Sequence, residues 1–291
     1  MATAEQLKSL IRSHLNEDSE RFYTLALQVA AHEAKQGHSS LAQDIRKLVD
    51  NDKLSSKSTL IKFPRDLSGM VRSEKSDTHI NCLVLETKIN HRLERVIHEY
   101  AQKDKLKKHG LSNRRKLLLS GPPGTGKTMT ARMLAHELSL PLHTIQVDKL
   151  VTKFMGETSA KLRLIFDQIQ ESPGVYLFDE FDAIAGDRSL DNDVGEMRRI
   201  LNALLQFIEQ DESESIIIGA TNTHELIDKA LFRRFDDVLH YDLPSPDNRK
   251  MLISNILGVF KGRIGWQKVT SESLGLSHAE IDHACRDAIK E

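Results

Sequence analysis

Hydrophobic and polar residues form two kinds of block through the middle of this chain. Short, continuously apolar runs predict buried strands, whereas apolar residues spaced three and four positions apart predict helices. The predicted strands are Lys116–Ser120, Leu142–Val147, Val175–Phe178 and Ser215–Ala220. The predicted helices are Met129–Leu138, Ala160–Ile169, Glu196–Ile208, Asp247–Val259 and His278–Lys290. Because strands and helices alternate, we expect an α/β fold with a parallel sheet sandwiched by helices.

The first fifty residues have helical spacing of their own. Apolar residues fall on one face in three segments, at positions 7–15, 22–30 and 41–49, and Gly37 is placed to end the second helix. Since no such helix buries its apolar face alone, residues 1–50 are predicted to form a three-helix bundle. This bundle is either a module that binds a partner or substrate or a packing appendage. Residues 51–80, polar and interrupted by Pro64 and Gly69, are predicted to be a linker.

Composition narrows the classes of function. The 291 residues include 41 Lys plus Arg and 42 Asp plus Glu, a net charge of −1, which argues against nucleic acid and acidic membrane surfaces as partners. Two cysteines without CxxC spacing argue against a disulfide framework or a zinc site. The N-terminus lacks the pattern of a signal peptide, and no apolar run reaches the ~20 residues of a membrane helix. These features predict a cytoplasmic protein.

The loop between the first predicted strand and helix matches the phosphate-binding pattern in full. Its sequence is Gly-Pro-Pro-Gly-Thr-Gly-Lys-Thr, residues 121–128. Glycines allow backbone N–H groups to point into one anion-sized hollow, and a lysine places positive charge against the outer phosphates. We therefore predict that the chain binds ATP with Mg²⁺. The predicted nucleotide-binding residues are Gly121, Pro122, Pro123, Gly124, Thr125, Gly126, Lys127, Thr128 and Met129.

The strand Val175–Phe178 is followed by two acids, Asp179 and Glu180. The carboxyl ends of strands are where α/β sheets bind ligands. Asp179, together with the Thr128 hydroxyl, is predicted to hold Mg²⁺, and Glu180 to polarise the water that attacks the terminal phosphate. Asp182 is ambiguous and serves at most to orient a neighbour.

Further stretches occur in a fixed order and carry a family resemblance. They are Lys153–Thr158 with the following Lys161–Phe166, then Asp179–Ile184, Gly219–Asn222 and Leu226–Asp236. Over residues 80–291 the chain resembles the AAA ATPases of the protein-remodelling clade, which includes katanin, spastin and the proteasomal unfoldases. The resemblance implies a large α/β ATPase domain at residues 81–243. It also implies a small helical lid at residues 244–291, which is either minimal or truncated.

The resemblance implies three further catalytic residues. Asn222 would position the attacking water with Glu180, although an asparagine here could also cap a helix. Arg233 and Arg234 would reach the ATP of a neighbouring subunit, the alternative being a solvated basic pair. Arginines that act in trans require an oligomer, and the family forms hexameric rings.

The resemblance also implies a substrate-gripping loop. Phe154 and Met155 match residues that line a central pore and hold an extended polypeptide, the alternative being a core position for Phe154. The loop Ala185–Gly195 would face the same pore. In the lid, Gly275–Ile281 resembles a segment that approaches the nucleotide, but His278 stands where relatives usually have glycine.

The predicted function is therefore an ATP-hydrolysing motor that threads or remodels a protein substrate, serving a separate protease or effector through residues 1–50. A DNA-directed ATPase and a low-turnover nucleotide-dependent scaffold are the alternatives. The chain has no basic, aromatic-interleaved stripe, which disfavours DNA. No His-Glu pair is followed by the second histidine of a zinc-protease motif, so we expect no protease within the chain.

Overall fold

A computed structural model gives the fold. It describes residues 13, 19–38, 41–47, 49, 63, 67, 69–150, 155–181, 194–222, 233–262 and 264–291. The chain divides into two compact units, Met1–Thr59 and Leu60–Glu291.

The N-terminal unit contains a helix, α1, at Ser19–Lys35, and residues 41–47 are helical as well. The first predicted helix lies outside the described residues apart from Ser13. The glycine predicted to end the second helix does so, because Gly37 has a φ of 88° and His38 donates its backbone N–H to the Glu33 carbonyl at 3.0 Å. The small core of the unit consists of Tyr23, Ala26 and Val49 with Phe22, Leu27 and Ile45.

The second unit is built on a six-stranded sheet. The strands are β1 at Val71–Glu74, β2 at Lys116–Ser120, β3 at Leu142–Gln146, β4 at Val175–Asp179, β5 at Ile216–Thr221 and β6 at Asp237–His240. Their order across the sheet is β1-β3-β4-β5-β2-β6. All neighbours pair in parallel except β1, which runs antiparallel to β3. The predicted α/β class is confirmed.

Successive strand residues point to opposite faces of the sheet, and each face has its own core. In β2, Leu118 packs on one face and Leu117 and Leu119 on the other. Both faces are covered, which explains the uninterrupted apolar runs within β2, β4 and β5. The flanking helices are α2 at Thr87–Ala101, α3 at Lys103–Lys108, α4 at Lys127–Glu137, α5 at Val147–Leu150, α6 at Met155–Glu171 and α7 at Val194–Gln210. Buried residues of α6 and α7 cover the Leu118 face, and those of α2 and α4 cover the other.

Three helices follow the sheet and form the predicted lid. They are α8 at Pro246–Leu257, α9 at Trp266–Glu272 and α10 at His278–Lys290. Their own core joins Leu252 and Ile253 of α8 to Ile281 and Cys285 of α10. Val84, from the segment that precedes α2, is buried in the same core. The segment before α2 thus connects the lid to the sheet.

The predicted linker is wrong at residues 71–74, which form β1 in the sheet. Ser73 is in register with His143 of β3, and Arg72 with Thr144. An edge strand exposes one side to solvent, so β1 carries polar residues and lacks the apolar run found in β2, β4 and β5. Main-chain pairing with β3, which leaves no signature in the sequence, holds it in place together with the side-chain contacts of Ser73 and Glu74. The described residues contain no helix long and apolar enough to cross a membrane.

His143 of β3 is a fully buried histidine in the core of the sheet. Its Nδ1 lies 2.8 Å from the Ser73 hydroxyl, and its ring packs against the rings of Tyr176 and Phe63. Burial lowers the pKa of the imidazole from 6.5 to about 4. A histidine whose pKa is depressed by folding contributes stability that is fully present above the unfolded pKa of about 6.5. That contribution is lost as the pH falls from about 6.5 towards 4.

We therefore expect acid to destabilise the protein through His143. Between pH 7.5 and pH 5 the free energy of unfolding should fall by about 2 kcal/mol on account of this residue. Urea unfolding at a series of pH values measures the fall, and His143→Phe, which cannot titrate, should show a smaller one. His283→Asn, at an exposed position on α10, is the matched control and should retain the wild-type slope. Parallel pH profiles for wild type and His143→Phe would remove His143 as the cause.

Candidate active site

The phosphate loop lies between β2 and α4, as predicted, and neighbouring strands hold its first residue. Gly121 donates its N–H to the Thr221 carbonyl at 3.2 Å, and Tyr241 donates its N–H to the Ser120 carbonyl at 2.7 Å. Gly121 has a φ of 149°, and a Cβ at this position would lie 2.1 Å from the Tyr241 carbonyl oxygen. Only glycine fits there. The sequence analysis did not identify Tyr241, whose buried hydroxyl lies 2.8 Å from that of Thr130 on α4.

The remaining loop residues differ in exposure. Thr125 is buried and donates its hydroxyl to the Pro122 carbonyl at 2.8 Å, which braces the turn. Pro123 and Gly124 are exposed, and Gly126 adopts a left-handed conformation directly before α4. Met129 is 38% exposed on the first turn of the helix. The helix begins at Lys127, two residues before the predicted Met129, because the loop enters it directly through Gly126.

Lys127 is only 7% exposed and lies inside the loop. Its Nζ donates to the carbonyl oxygens of Gly121 at 2.7 Å and Pro122 at 2.8 Å. The loop carbonyls thus surround the Lys127 ammonium group. Its positive charge lies at the N-terminus of α4, where the helix dipole also favours an anion. The two effects together make this hollow suited to phosphate.

The strand that carries the acids ends beside the loop. Thr128 Oγ1 lies 3.4 Å from Asp179 Oδ2, at the long end of hydrogen-bond distances. A hydroxyl and a carboxylate oxygen are ligands that Mg²⁺ prefers, so the donor set fits the predicted metal. Asp179 is on β4 and Thr128 follows β2, and β5 lies between these strands. The carboxyl ends of three parallel strands therefore meet at this point.

Glu180 has a backbone conformation that is uncommon for any residue other than glycine. Its φ is 55°, its side chain is exposed, and its N–H donates to Asp179 Oδ1 at 3.0 Å. The next residue, Phe181, is buried and donates its N–H to the Ala220 carbonyl at 2.9 Å. Anchored on both sides, Glu180 is held in this strained conformation with its carboxylate in solvent, a feature typical of functional sites. Asp182 lies outside the described residues.

Asn222 and the paired arginines complete the predicted set. Asn222 is exposed directly after β5, one residue beyond the Thr221 carbonyl that holds Gly121. Arg233 is exposed shortly before β6. Arg234 donates its Nε to Glu209 on α7 at 3.0 Å, an ion pair within the chain. Of the predicted pore loop, Phe154 and most of the loop Ala185–Gly195 lie outside the described residues, and Met155 is the first residue of α6.

The lid contacts the phosphate loop directly. Ala279, in the first turn of α10, donates its N–H to the Gly124 carbonyl at 3.0 Å. A Cβ on Gly124 would lie 2.7 Å from the Ser277 hydroxyl and 3.1 Å from the Ala279 Cβ. Ser277 and Glu280 form a capping box that fixes this turn. The sequence analysis placed this segment near the nucleotide but missed its bond to the loop.

His278 lies in the same turn, at the junction of lid and sheet. Neither of its ring nitrogens is exposed. Burial lowers the pKa of the imidazole, and the nearby backbone of Val84 offsets part of that shift. A buried imidazole therefore occupies the position where the resemblance leads one to expect glycine.

Comparison with known proteins places this arrangement in a family. The model for the ATPase family associated with various cellular activities (AAA) matches residues 117–243. Over its whole length the chain is 33% identical to the AAA family ATPase y4kL of Sinorhizobium fredii, and it covers 89% of that protein. The chain belongs to the AAA ATPase family. Nucleotide binding and ATP hydrolysis, predicted from the loop and the acidic strand end, are thereby confirmed as its activity.

Two further matches concern parts of this AAA ATPase. It is 34% identical over 146 residues to a putative 26S proteasome regulatory subunit homolog of Methanothermobacter thermautotrophicus, covering 49% of the chain and 39% of that protein. The crystal structure of the FIGL-1 AAA domain matches it with a TM-score of 0.63 at 22% identity, over 78% of each chain. This second likeness concerns the fold alone.

Proposed function

We propose that this AAA ATPase uses the energy of Mg-ATP hydrolysis to thread or remodel a polypeptide through the pore of a ring oligomer. The observation that carries the catalytic part is the meeting of Lys127, Thr128 and Asp179 at one edge of the sheet, with Glu180 and Asn222 beside them. Each of these residues supplies a different requirement of phosphoryl transfer to water.

Each residue of the site has a separate role in ATP hydrolysis. The loop N–H groups and Lys127 bind the phosphates, and Thr128 and Asp179 hold Mg²⁺, which when bound neutralises charge on the phosphate oxygens. Glu180 accepts a proton from the attacking water, because its carboxylate is exposed and its backbone is fixed. Asn222 orients that water through an amide that both donates and accepts hydrogen bonds.

A neighbouring subunit completes the site in this proposal. Arg233 and Arg234 lie just before β6, and Arg234 also donates its Nε to Glu209 of the same chain. Arginine suits the developing charge on a transferred phosphoryl group because it stays charged and binds oxygens in pairs. A ring, hexameric as in the family, brings these residues to the next subunit's ATP.

The proposed substrate is a polypeptide gripped by Phe154 and Met155. Helix α6 begins at Met155, which follows Phe154 in the sequence. The similarity to a proteasome regulatory subunit homolog supports a protein substrate, and the net charge of −1 disfavours DNA. The separate N-terminal unit supports recruitment of a client, protease or effector by residues 1–50.

One experiment separates turnover from work on a substrate. Phe154→Ala should retain most ATPase activity, because it lies outside the nucleotide motifs, while unfolding of a model fluorescent substrate should fall at least tenfold. Loss of both activities together would indicate a core position for Phe154 instead.

A chain that begins at residue 60 should keep basal ATPase activity and lose preference for its client. DNA-stimulated turnover, measured in parallel, would favour the DNA-directed alternative.

A further inference from the structure

Three metal-binding side chains converge at the far end of the phosphate-loop helix. His136 and Glu137 are the last two residues of α4, and His79 lies beside them at the start of a 3₁₀ turn, Ile80–Cys82. One ligand atom from each lies within 4.8 Å of the others. The helix rises about 1.5 Å per residue, so this cluster is about 15 Å from Lys127. It is therefore separate from the nucleotide site.

Hydrogen bonds orient two of the three side chains. His136 Nδ1 lies 3.1 Å from the Ser76 carbonyl oxygen, which only accepts, so Nδ1 carries the hydrogen and Nε2 presents a lone pair. Glu137 Oε1 accepts the Ile80 N–H at 3.0 Å, which leaves Oε2 outside that bond. Histidines and carboxylates that bind metals are typically fixed by bonds of this kind through their other polar atom.

The third side chain, His79, faces the same point. Its ring centroid lies 4.0 Å from that of His136, with 70° between the ring planes. Edge-to-face packing accounts for the two neighbouring rings, and the bond from the Ile80 N–H holds the Glu137 carboxylate, one oxygen of which lies within 4.8 Å of a nitrogen of each ring. The cluster also lies at the C-terminal end of α4, where the helix dipole favours a cation.

We propose that His79, His136 and Glu137 form a binding site for a divalent transition metal, with Zn²⁺ as its occupant. Two imidazoles and one carboxylate are a ligand set that Zn²⁺ prefers, with water in the fourth position. Mg²⁺ and Ca²⁺ favour oxygen ligands and fit this set poorly. The cysteine spacing disfavours a zinc site built from cysteines. The site at His79, His136 and Glu137 contains no cysteine, so the spacing does not disfavour it.

The metal would join two parts of the chain that the sequence separates. Residues 76–82 lead into Val84, buried in the lid core, and Leu85, which lies 3.7 Å from a Cβ placed on Gly126. A metal bound by His79 and by the end of α4 would hold this segment against the helix. Its occupancy should therefore raise the melting temperature of the full chain, because a ligand that binds only the folded state stabilises it.

Zinc titration of the untagged, chelator-stripped full chain tests the site, with a chromophoric chelator as competitor. We expect one equivalent to bind, and His79→Asn and His136→Asn each to weaken binding at least tenfold. Asparagine at position 136 retains a donor for the Ser76 carbonyl, which limits the structural effect. If His136→Asn does not fold, the zinc affinity of His79→Asn, which changes an exposed residue, tests the site alone.

The chain has 13 histidines, so adventitious binding needs its own controls. His91→Asn changes an exposed histidine on α2, and Cys82→Ser changes an exposed residue of the same segment as His79. Both should bind zinc as the wild type does, and zinc should raise their melting temperature equally. Unchanged zinc affinity in His79→Asn, or no binding of a full equivalent at millimolar zinc, would overturn the proposal. Both readouts are independent of ATP turnover.

Discussion

Glu180→Gln should bind ATP as the wild type does and turn it over at least about 100-fold more slowly, because the amide cannot accept a proton from water. Lys127→Ala should lose affinity for ATP by about 100-fold, since it removes a charged donor from the phosphate hollow. Affinity is measured with a fluorescent nucleotide and turnover by phosphate release. The two variants thus separate binding from chemistry.

The controls for this pair follow from the structure. Lys127 also bonds the Gly121 and Pro122 carbonyls, so the melting temperature of Lys127→Ala must be compared with that of the wild type. Glu171→Gln changes an exposed carboxylate at the end of α6 and should leave turnover unchanged. Turnover near the wild-type rate in Glu180→Gln would show that another group activates the water.

The double variant Arg233→Ala/Arg234→Ala should bind ATP and lack ATPase activity on its own. Mixed with Glu180→Gln chains, it should regain activity, because an intact Glu180 then meets intact arginines across some interfaces. We expect activity to peak near equal proportions of the two chains. Neither variant alone can form such an interface, so this recovery is specific to action in trans.

Glu209→Ala is the matched control for the arginine experiment. It breaks the same in-chain ion pair with Arg234 but leaves both arginines in place, so it should keep most of its ATPase activity. If Glu209→Ala is as inactive as the double variant, the effect arises from the lost ion pair. If confirmed mixed oligomers show no recovery at any ratio, the arginines do not act in trans.

The sequence predicted the phosphate loop and the central strands because local chemistry dictates their residues. A loop that wraps phosphate needs glycine and lysine at set positions, and a strand covered on both faces must be apolar throughout. Strand β1 is polar because it lies at the edge, and helix Lys103–Lys108 has a single apolar residue, Leu106. Neither element carries a periodic signal, so neither was predicted.

The sequence patterns also did not predict the contacts between distant parts of the chain. The bond from Ala279 to Gly124 joins residues that are far apart in the sequence, and only tertiary packing brings them together. The same holds for His79 and His136, which no local spacing relates. Glu180 was predicted from its position after a strand, but its left-handed backbone depends on the anchoring of Phe181 to β5.

The bond between Ala279 and Gly124 joins the first turn of α10 to the phosphate loop, so a rotation of the helix about this contact would move its far end most. The helix has 13 residues and is about 20 Å long, and its first turn rests on the loop that wraps the phosphates. A tilt of about 10° at that fulcrum would displace the far end of the helix by about 3 Å. A shift of Gly124 that tilted the helix about this contact would therefore move the far end of α10 more than its first turn.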